Sequence, residues 1–443
     1  MFKKTIIAEF FTTVSFNQAL QSLYLMTFGS YKLRYGKENK LFEQEFLEKI
    51  TGQSQIKTGY PQGAPLQNNS KIISFYNGRN AIYHALKIIG VEKNDEIIVS
   101  SYTCSVVVNA VIQTNSKIIY SDIENETLSF DFEVLKKNIT ESTKVIILQH
   151  TFGKQARDYE EIINFCKNND ILVIEDCAHS LGNHPQPLLD KEGRIGDFLI
   201  FSTGRDKVIS SITGGFLVIN KKVGIAGMHS LQDELKMPSI KIIYKNLMYN
   251  LVGYKAYRLY DFFKLGRVII FLSRKLNLIT EILNKKEKNF EYKNFNLDFP
   301  NSLAYLARKE LKNLDKYTQI RLENIKFYTE NINSLLTSPQ RRGIKGFLDL
   351  ENYNGFRFPI LLESEEKKNE LIKLGRKNNI IFGNQWSGSN IIPAGIDLEK
   401  AGYINGSCPV AEDISKRILT LPNHKLINKK DLNRVVEILN NFK

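Results

Sequence analysis

Short apolar runs alternate with amphipathic stretches along most of the chain from about residue 70 onward. IISFY (72–76), EIIVS (96–100), KIIYS (117–121), VIILQ (145–149), ILVIE (171–175), DFLIFS (197–202) and GFLVIN (215–220) have the length and the β-branched and aromatic content of buried strands. Between them, Ala81, Ile82, Ala85 and Leu86 share one helical face, and Val106 to Ile112 predicts an apolar helix. Such alternation predicts an α/β fold, a mainly parallel sheet covered by helices, with ligands gathering beyond the carboxyl ends of the strands. The pattern then changes. One long amphipathic helix is expected over 302–328, followed by a strand at 356–362, a helix at about 364–376, a glycine-rich turn region at 383–390, and helices beginning near Val410 and Lys429. The expected division is an N-terminal segment (1–55), a large domain (56–235), a basic, mostly helical insertion (236–300) and a smaller C-terminal α/β domain (301–443).

A chain of 443 residues with 42% hydrophobic content has material for two or more compact units. Cys104, Cys166, Cys177 and Cys408 are scattered without paired spacing, which suggests neither a disulfide framework nor a metal site. Basic and apolar residues open the chain, but Glu9 interrupts them and no small-residue cleavage site follows, so a cytoplasmic protein without a signal peptide is expected. The net charge of +14 is partly local: between Lys241 and Thr280, eight Lys or Arg stand against one acid, Asp261, among aromatic and aliphatic residues. The apolar runs of this segment are too short and too charged to span a bilayer. Two readings stay open for 241–280. It packs on its own domain or on a dimer partner, or it makes a peripheral contact at the inner membrane face, with Phe262, Phe263, Ile269, Ile270 and Phe271 below the headgroups. No nucleic-acid reading module is present, so nucleic acid is not expected as a partner.

Two stretches carry the chemistry. VIEDCAHSLG (173–182) ends an apolar strand in two acids, Glu175 and Asp176, and FSTGRDKVISSITGG (201–215) sets Lys207 between a strand and a glycine pair. Acids at the end of a buried strand call for a cation. A lysine at the top of a parallel sheet can form a Schiff base with a carbonyl compound once its surroundings deprotonate it. Pyridoxal 5′-phosphate needs such a lysine, a carboxylate at its ring nitrogen and a phosphate cup. Asp176 can be that carboxylate; Gly78 and Arg79, at a strand-to-helix turn, can offer amides to a phosphate, and Ser202 a hydroxyl. Each has an ordinary reading alone, as a solvated lysine, a capping acid, a tight turn or a strand-end serine. The set carries the expectation.

In this order, NGRNAIYHAL (77–86), DEIIVSSYT (95–103), IEDCAHSLG (174–182), FSTGRDK (201–207) with its glycine pair seven and eight residues after the lysine, and GSCPVAEDISKRILTLP (406–422) resemble the DegT-type aminotransferase family. These are fold type I pyridoxal-phosphate enzymes best known for aminating keto-sugars attached to nucleotides. The resemblance covers roughly 40–235 and 295–443. It implies that Lys207 holds the cofactor as a Schiff base and shuttles the proton, that Asp176 pairs with the ring nitrogen, and that His179 stands near the ring hydroxyl. It also implies a phosphate cup of Gly78, Arg79 and Ser202. Cys104 stands where the family often stacks an aromatic on the ring, with Tyr102 as the alternative. His150 and Trp386 are substrate-side candidates, set against a packed strand-end histidine and a domain-interface aromatic. Lysine at 207, rather than the histidine of the family's dehydratase offshoot, favours amino transfer.

Two stretches depart from the family. HSLQDELKMPS (229–239) stands where residues that complete the neighbouring subunit's site are usual, and FNLDFPNS (295–302) replaces a motif of typical sugar enzymes. The implied protein is a homodimeric aminotransferase that takes nitrogen from a donor such as glutamate to a keto group on a nucleotide-linked or lipid-linked sugar, in cell-surface glycan or related biosynthesis. A dehydratase or eliminase with the same cofactor, and a non-catalytic membrane-associated assembly protein, are the alternatives.

Overall fold

The computed structural model describes residues 4–9, 14–51, 71–182, 196–220, 233–281, 283, 285–332 and 353–442. Residues 229–232 of the HSLQDELKMPS stretch lie outside them. One sheet holds the strands β1 (Lys71–Phe75), β2 (Glu96–Ser100), β3 (Lys117–Ser121), β4 (Thr143–Gln149), β5 (Leu172–Asp176), β6 (Phe198–Ser202) and β7 (Gly215–Ile219). Their order across it is β1-β7-β6-β5-β4-β2-β3. β7 runs antiparallel to β1 and β6, and every other pair is parallel. The exception follows from chain length: β6 reaches β7 through the loop 203–214 alone, and a connection without a crossover helix can only turn the chain back. Alternate residues of the strands feed opposite faces. Ile97 and Val99 pack with Ala81, Ala85 and Val107 on one side, while Ile98 packs with Ile162 and Val173 on the other.

The helices named below are α1 (Phe16–Thr27), α2 (Gly78–Ile89), α3 (Ser105–Ile112), α4 (Ile240–Arg258), α5 (Leu265–Lys275), α6 (Asn301–Leu311) and α7 (Leu314–Asn331). The single helix expected over 302–328 is thus two. The chain breaks at Lys312 and Asn313, where the Asn313 amide donates to the Lys309 carbonyl at 3.0 Å, a local bond that competes with helix propagation. The basic segment also divides. α4 buries Ile243, Leu247, Val252 and Ala256 against α1 and the core, whereas α5 buries only Gly266 and Ser273 and leaves Leu265, Val268, Phe271 and Leu272 exposed.

Three short pairings tie distant parts of the chain together. Ile6–Ile7 pairs with Ile380–Ile381, Thr103–Cys104 with Ile391–Ile392, and Phe358–Leu361 with Ile418–Leu421. The start of the chain and the entry to α3 are thereby held against the C-terminal part.

Candidate active site

The parallel strands end on one edge, and β7 begins there: Gly215 lies between Phe75 and Ser202 in the register. At this edge β5 presents its two acids to opposite faces, as the strand repeat requires. Glu175 accepts from the His150 ring at 2.8 Å, from the Tyr159 hydroxyl at 3.0 Å and from the Gly196 amide at 2.5 Å. Asp176 has the Ala178 amide at 3.0 Å and, as its strongest charged neighbour, Lys207. So the two acids meet different partners. Burial pushes the Asp176 carboxyl above the usual carboxylate range, and the charge of Lys207 pulls it back. Burial likewise draws the half-buried Lys207 below its usual basicity, opposed by Asp176.

The loop 203–214 that carries Lys207 is closed on itself. Thr203 N–H donates to the Gly214 carbonyl at 3.1 Å, the Thr203 and Ser211 hydroxyls bond at 2.6 Å, and Lys207 N–H donates to the Gly204 carbonyl at 3.2 Å. Ser202 Oγ donates to the Gly214 carbonyl at 3.1 Å and accepts from Gly204 N–H at 3.2 Å. Opposite stands the start of α2. Asn77 caps it by accepting from Asn80 N–H at 3.1 Å, and the Gly78 and Arg79 amides are among those that a first helical turn leaves without intrahelical carbonyls. A Cβ on Gly78 would sit 3.7 Å from Ser202 Oγ, and a Cβ on Gly215 would overlap the Asn77 carbonyl, so the turn and the two strand ends are in close contact. The Arg79 guanidinium pairs with Glu287 and lies 5.5 Å from the centre of the Tyr292 ring, while its buried Nε has no hydrogen-bond partner among the described residues.

Cys104 caps α3, and its thiol, pushed up by burial, feels the charges of Lys207, Arg79 and Asp176. Tyr102 points elsewhere. It is fully buried, with its hydroxyl donating to the Trp386 carbonyl at 2.5 Å and its ring edge-on to Phe152 and Trp386. Cys104 thus stands near Lys207, Arg79 and Asp176, and Tyr102 near Arg357 and Glu9. His179 packs against Phe356 and Trp386, with ring centres 4.8 and 5.1 Å away, and its Nδ1 accepts from Phe152 N–H at 3.3 Å. That bond places the ring proton on Nε2, and burial holds the imidazole neutral by drawing its pKa well below the usual value.

The Trp386 ring packs against His179, Tyr102 and Phe152. His150, expected on the substrate side, is turned to Glu175 on the other face of the sheet edge, because Gln149 and His150 follow the same alternation as Asp176 and Glu175. With Cys177 these two form a buried group whose possible ligand atoms lie within 4.8 Å of one another, yet the oxygens of Glu175 are already satisfied by protein donors. The sequence pattern gave no sign of Phe152 and Asn354. Phe152 adopts φ 55°, and the Asn354 amide donates to the carbonyls of His179 and Leu181 at 2.6 and 3.0 Å, which fixes the turn after Asp176.

These residues fit pyridoxal 5′-phosphate: a desolvated lysine facing a buried carboxylate, a neutral imidazole donor, and an unsatisfied arginine nitrogen beside a helix start and a serine. Solved structures share the fold. The chain superimposes with a TM-score of 0.67 on Helicobacter pylori PseC, an aminotransferase involved in the biosynthesis of pseudoaminic acid, at 18% identity over 99% of this chain and 98% of that one. It superimposes at 0.66 on a putative sugar aminotransferase from Streptococcus pneumoniae in its PMP form, at 18% identity over 99% and 96%. In sequence it is 32% identical over 158 residues to GDP-perosamine synthase of Vibrio cholerae, spanning 36% of this chain and 42% of the relative. The match to GDP-perosamine synthase of Escherichia coli O157:H7 is 30% over 206 residues, 46% of this chain and 49% of the relative. The chain thus spans about half the length of these curated relatives. The family model reaches further, matching residues 64–263 and 272–440, and with the lysine loop, the aspartate and the start of α2 meeting at one sheet edge, the chain belongs to the DegT/DnrJ/EryC1/StrS aminotransferase family.

Proposed function

We propose that the chain is a pyridoxal-phosphate-dependent aminotransferase that converts a keto group, on a nucleotide-linked or lipid-linked sugar, to an amine with nitrogen from an amino acid such as glutamate, in cell-surface glycan or related biosynthesis. The observation that carries this reading is the mutual electrostatic influence of Asp176, at the end of β5, and Lys207, on the loop after β6, beside the start of α2. When bound, the cofactor supplies an electron sink for the carbon that loses or gains the proton. Asp176 holds the ring nitrogen protonated, its own buried charge being compensated in doing so. His179 donates from Nε2 toward the ring oxygen. The Gly78 and Arg79 amides and Ser202 Oγ take the phosphate, with the helix start favouring its charge. Lys207 Nζ, less basic than a solvated lysine, takes the proton from the substrate carbon and returns it.

The GDP-perosamine synthases among its relatives support the substrate class. The homodimer and a cytoplasmic site of action with peripheral membrane contact belong to the same proposal. Among the described residues no helix is long and apolar enough to cross a membrane. Support for the contact comes from α5, where exposed apolar side chains stand among Lys264, Arg267, Arg274 and Lys275.

Absorption spectroscopy tests the catalytic reading. With added pyridoxal phosphate the purified chain is expected to give a visible band that glutamate bleaches, and Lys207→Ala to give no lysine-linked band. A wild-type chain that forms no such band is not an aminotransferase of this kind.

A further inference from the structure

The phosphate cup has two walls: the start of α2, with Gly78 and Arg79, and the end of β6, with Ser202 and the turn from Gly204 to Lys207 that follows it. A chain of side chains joins these walls through the basic segment. Arg205, inside the turn, donates from Nη2 to the Thr280 hydroxyl, and its guanidinium lies 4.0 Å from the centre of the Tyr249 ring, within range of a cation–π contact. Thr280 donates to Asn246 Oδ1 at 2.8 Å, and Asn246 Nδ2 donates to the Tyr76 hydroxyl at 2.7 Å. Tyr76 directly precedes Asn77, the residue that caps α2. Its backbone is fixed as well, with N–H donating to the Leu297 carbonyl at 2.9 Å and its carbonyl accepting from the Thr213 hydroxyl at 2.5 Å.

Asn246 and Tyr249 are three residues apart on α4 and so share one face of it. Asn246 is buried, and a buried amide costs stability unless both its ends are paired. Here both ends are used, one toward each wall. α4 holds its own place through Ile243 and Leu247 in the core and through Asn250, whose amide donates to Ser22 Oγ on α1 at 3.0 Å. The linkage therefore has a fixed middle. Its ends lie two residues before Gly78 and two residues before Lys207, where a shift of either would alter the spacing of the walls.

We propose that Tyr76, Asn246, Thr280 and Arg205 form a brace that sets the width of the phosphate cup, with Tyr76 and Arg205 as positioning residues for the α2 turn and for the lysine turn. The proposal rests on the reading of this cup as the place of the cofactor phosphate. It makes the basic segment part of the cofactor site, and not only a surface for attachment.

Titration with pyridoxamine 5′-phosphate, which has the phosphate but no aldehyde for Lys207 to capture, tests the brace apart from the Schiff base. Binding is followed through the fluorescence of Trp386, the one tryptophan of the chain, whose ring packs on His179. Wild type is expected to bind, and Tyr76→Phe and Thr280→Val each to bind roughly 10-fold more weakly, the worth of one hydrogen bond. The double variant should bind no more weakly than either single one, because a chain broken twice is no looser than one broken once, whereas two independent packing contacts would multiply to roughly 100-fold. Thr280→Ser, which keeps the hydroxyl, should recover most of the affinity. Pyridoxamine without the phosphate should bind wild type and variants alike, a difference that general loosening of the fold would not produce. Wild-type affinity in both single variants, multiplied losses in the double one, a loss in Thr280→Ser as large as in Thr280→Val, or an equal loss toward pyridoxamine overturns the proposal. The visible band with pyridoxal phosphate separates the two readings. If wild type forms it and the single variants bind pyridoxamine phosphate as wild type does, the brace is wrong and amino transfer at Lys207 stands. If no band forms while the variants still show the expected pattern, the Schiff-base lysine is wrong and the braced phosphate cup stands.

Discussion

Asp176 combines burial, which raises its pKa, with a lysine and one backbone amide that lower it, so its charge is held at a cost that only a functional or structural partner offsets. Replacing the carboxylate by an amide tests which partner matters. Asp176→Asn keeps the shape and can still meet the Ala178 amide through its carbonyl, but it cannot hold a ring nitrogen protonated. The expected outcome is a chain that still shows the visible band and whose bleaching by glutamate, followed by stopped flow, is roughly 100-fold slower or more. A rate within a few-fold of wild type would make Asp176 a structural acid. At this scale Asp176 was legible because it ends a buried strand, and Lys207 because it stands on the loop between a buried strand and a glycine pair. Phe152 and Asn354 were not, because they reach the turn after Asp176 from positions far apart in the chain and no local spacing marks that meeting. The partner of His150 was not legible either. His150 follows a strand as a site residue would, but the neighbouring strand offers Glu175 to the face on which it lies.

Strands and most helices were readable because parallel strands buried on both faces leave long apolar runs. The break between α6 and α7 was not, since an amphipathic repeat continues through it and only the Asn313 side-chain bond interrupts the ladder. α5 is the element whose composition and surroundings disagree most. Phe263 is 77% exposed and Phe271 63%, beside four basic residues, and residues 264–271 fall between the two stretches that the family model matches. If α5 lies on an anionic bilayer, sinking one phenylalanine contributes about 1.5–3 kcal/mol. Co-sedimentation with phosphatidylglycerol vesicles should then fall at least 10-fold for Phe263→Ser with Phe271→Ser, and should weaken with added salt. Unchanged sedimentation of the double variant, or a shift from dimer to monomer instead, would assign the face to protein contact.

At the scale of the whole molecule, buried histidines join segments that are far apart in the chain. His84 on α2 bonds the Phe295 carbonyl through Nε2 at 3.2 Å and stacks on Phe75, and His424 bonds the Ile7 carbonyl at 2.9 Å, near where the start of the chain meets its C-terminal part. Burial draws His84 down to about 4 and His424 down to about 3. Both are therefore neutral in the folded chain across a range where the unfolded chain, with imidazoles near 6.5, binds protons. Above about pH 6.5 neither state is protonated and these groups leave stability unchanged. As the pH falls below that, the unfolded state gains protons that the folded state cannot, and stability is lost until the folded values are reached. The loss is roughly 2 kcal/mol per histidine by about pH 5. Buried acids act in the opposite sense: Asp206, pushed up to about 6, binds its proton more tightly when folded, so the net slope mixes the two. Variants separate them. Gln can donate to the same carbonyls without titrating, so the thermal midpoints of His84→Gln and His424→Gln should fall less than that of wild type between about pH 7 and about pH 5. Parallel pH profiles for wild type and both variants would mean that these imidazoles are protonated in the folded chain, and that the joins they make withstand the charge.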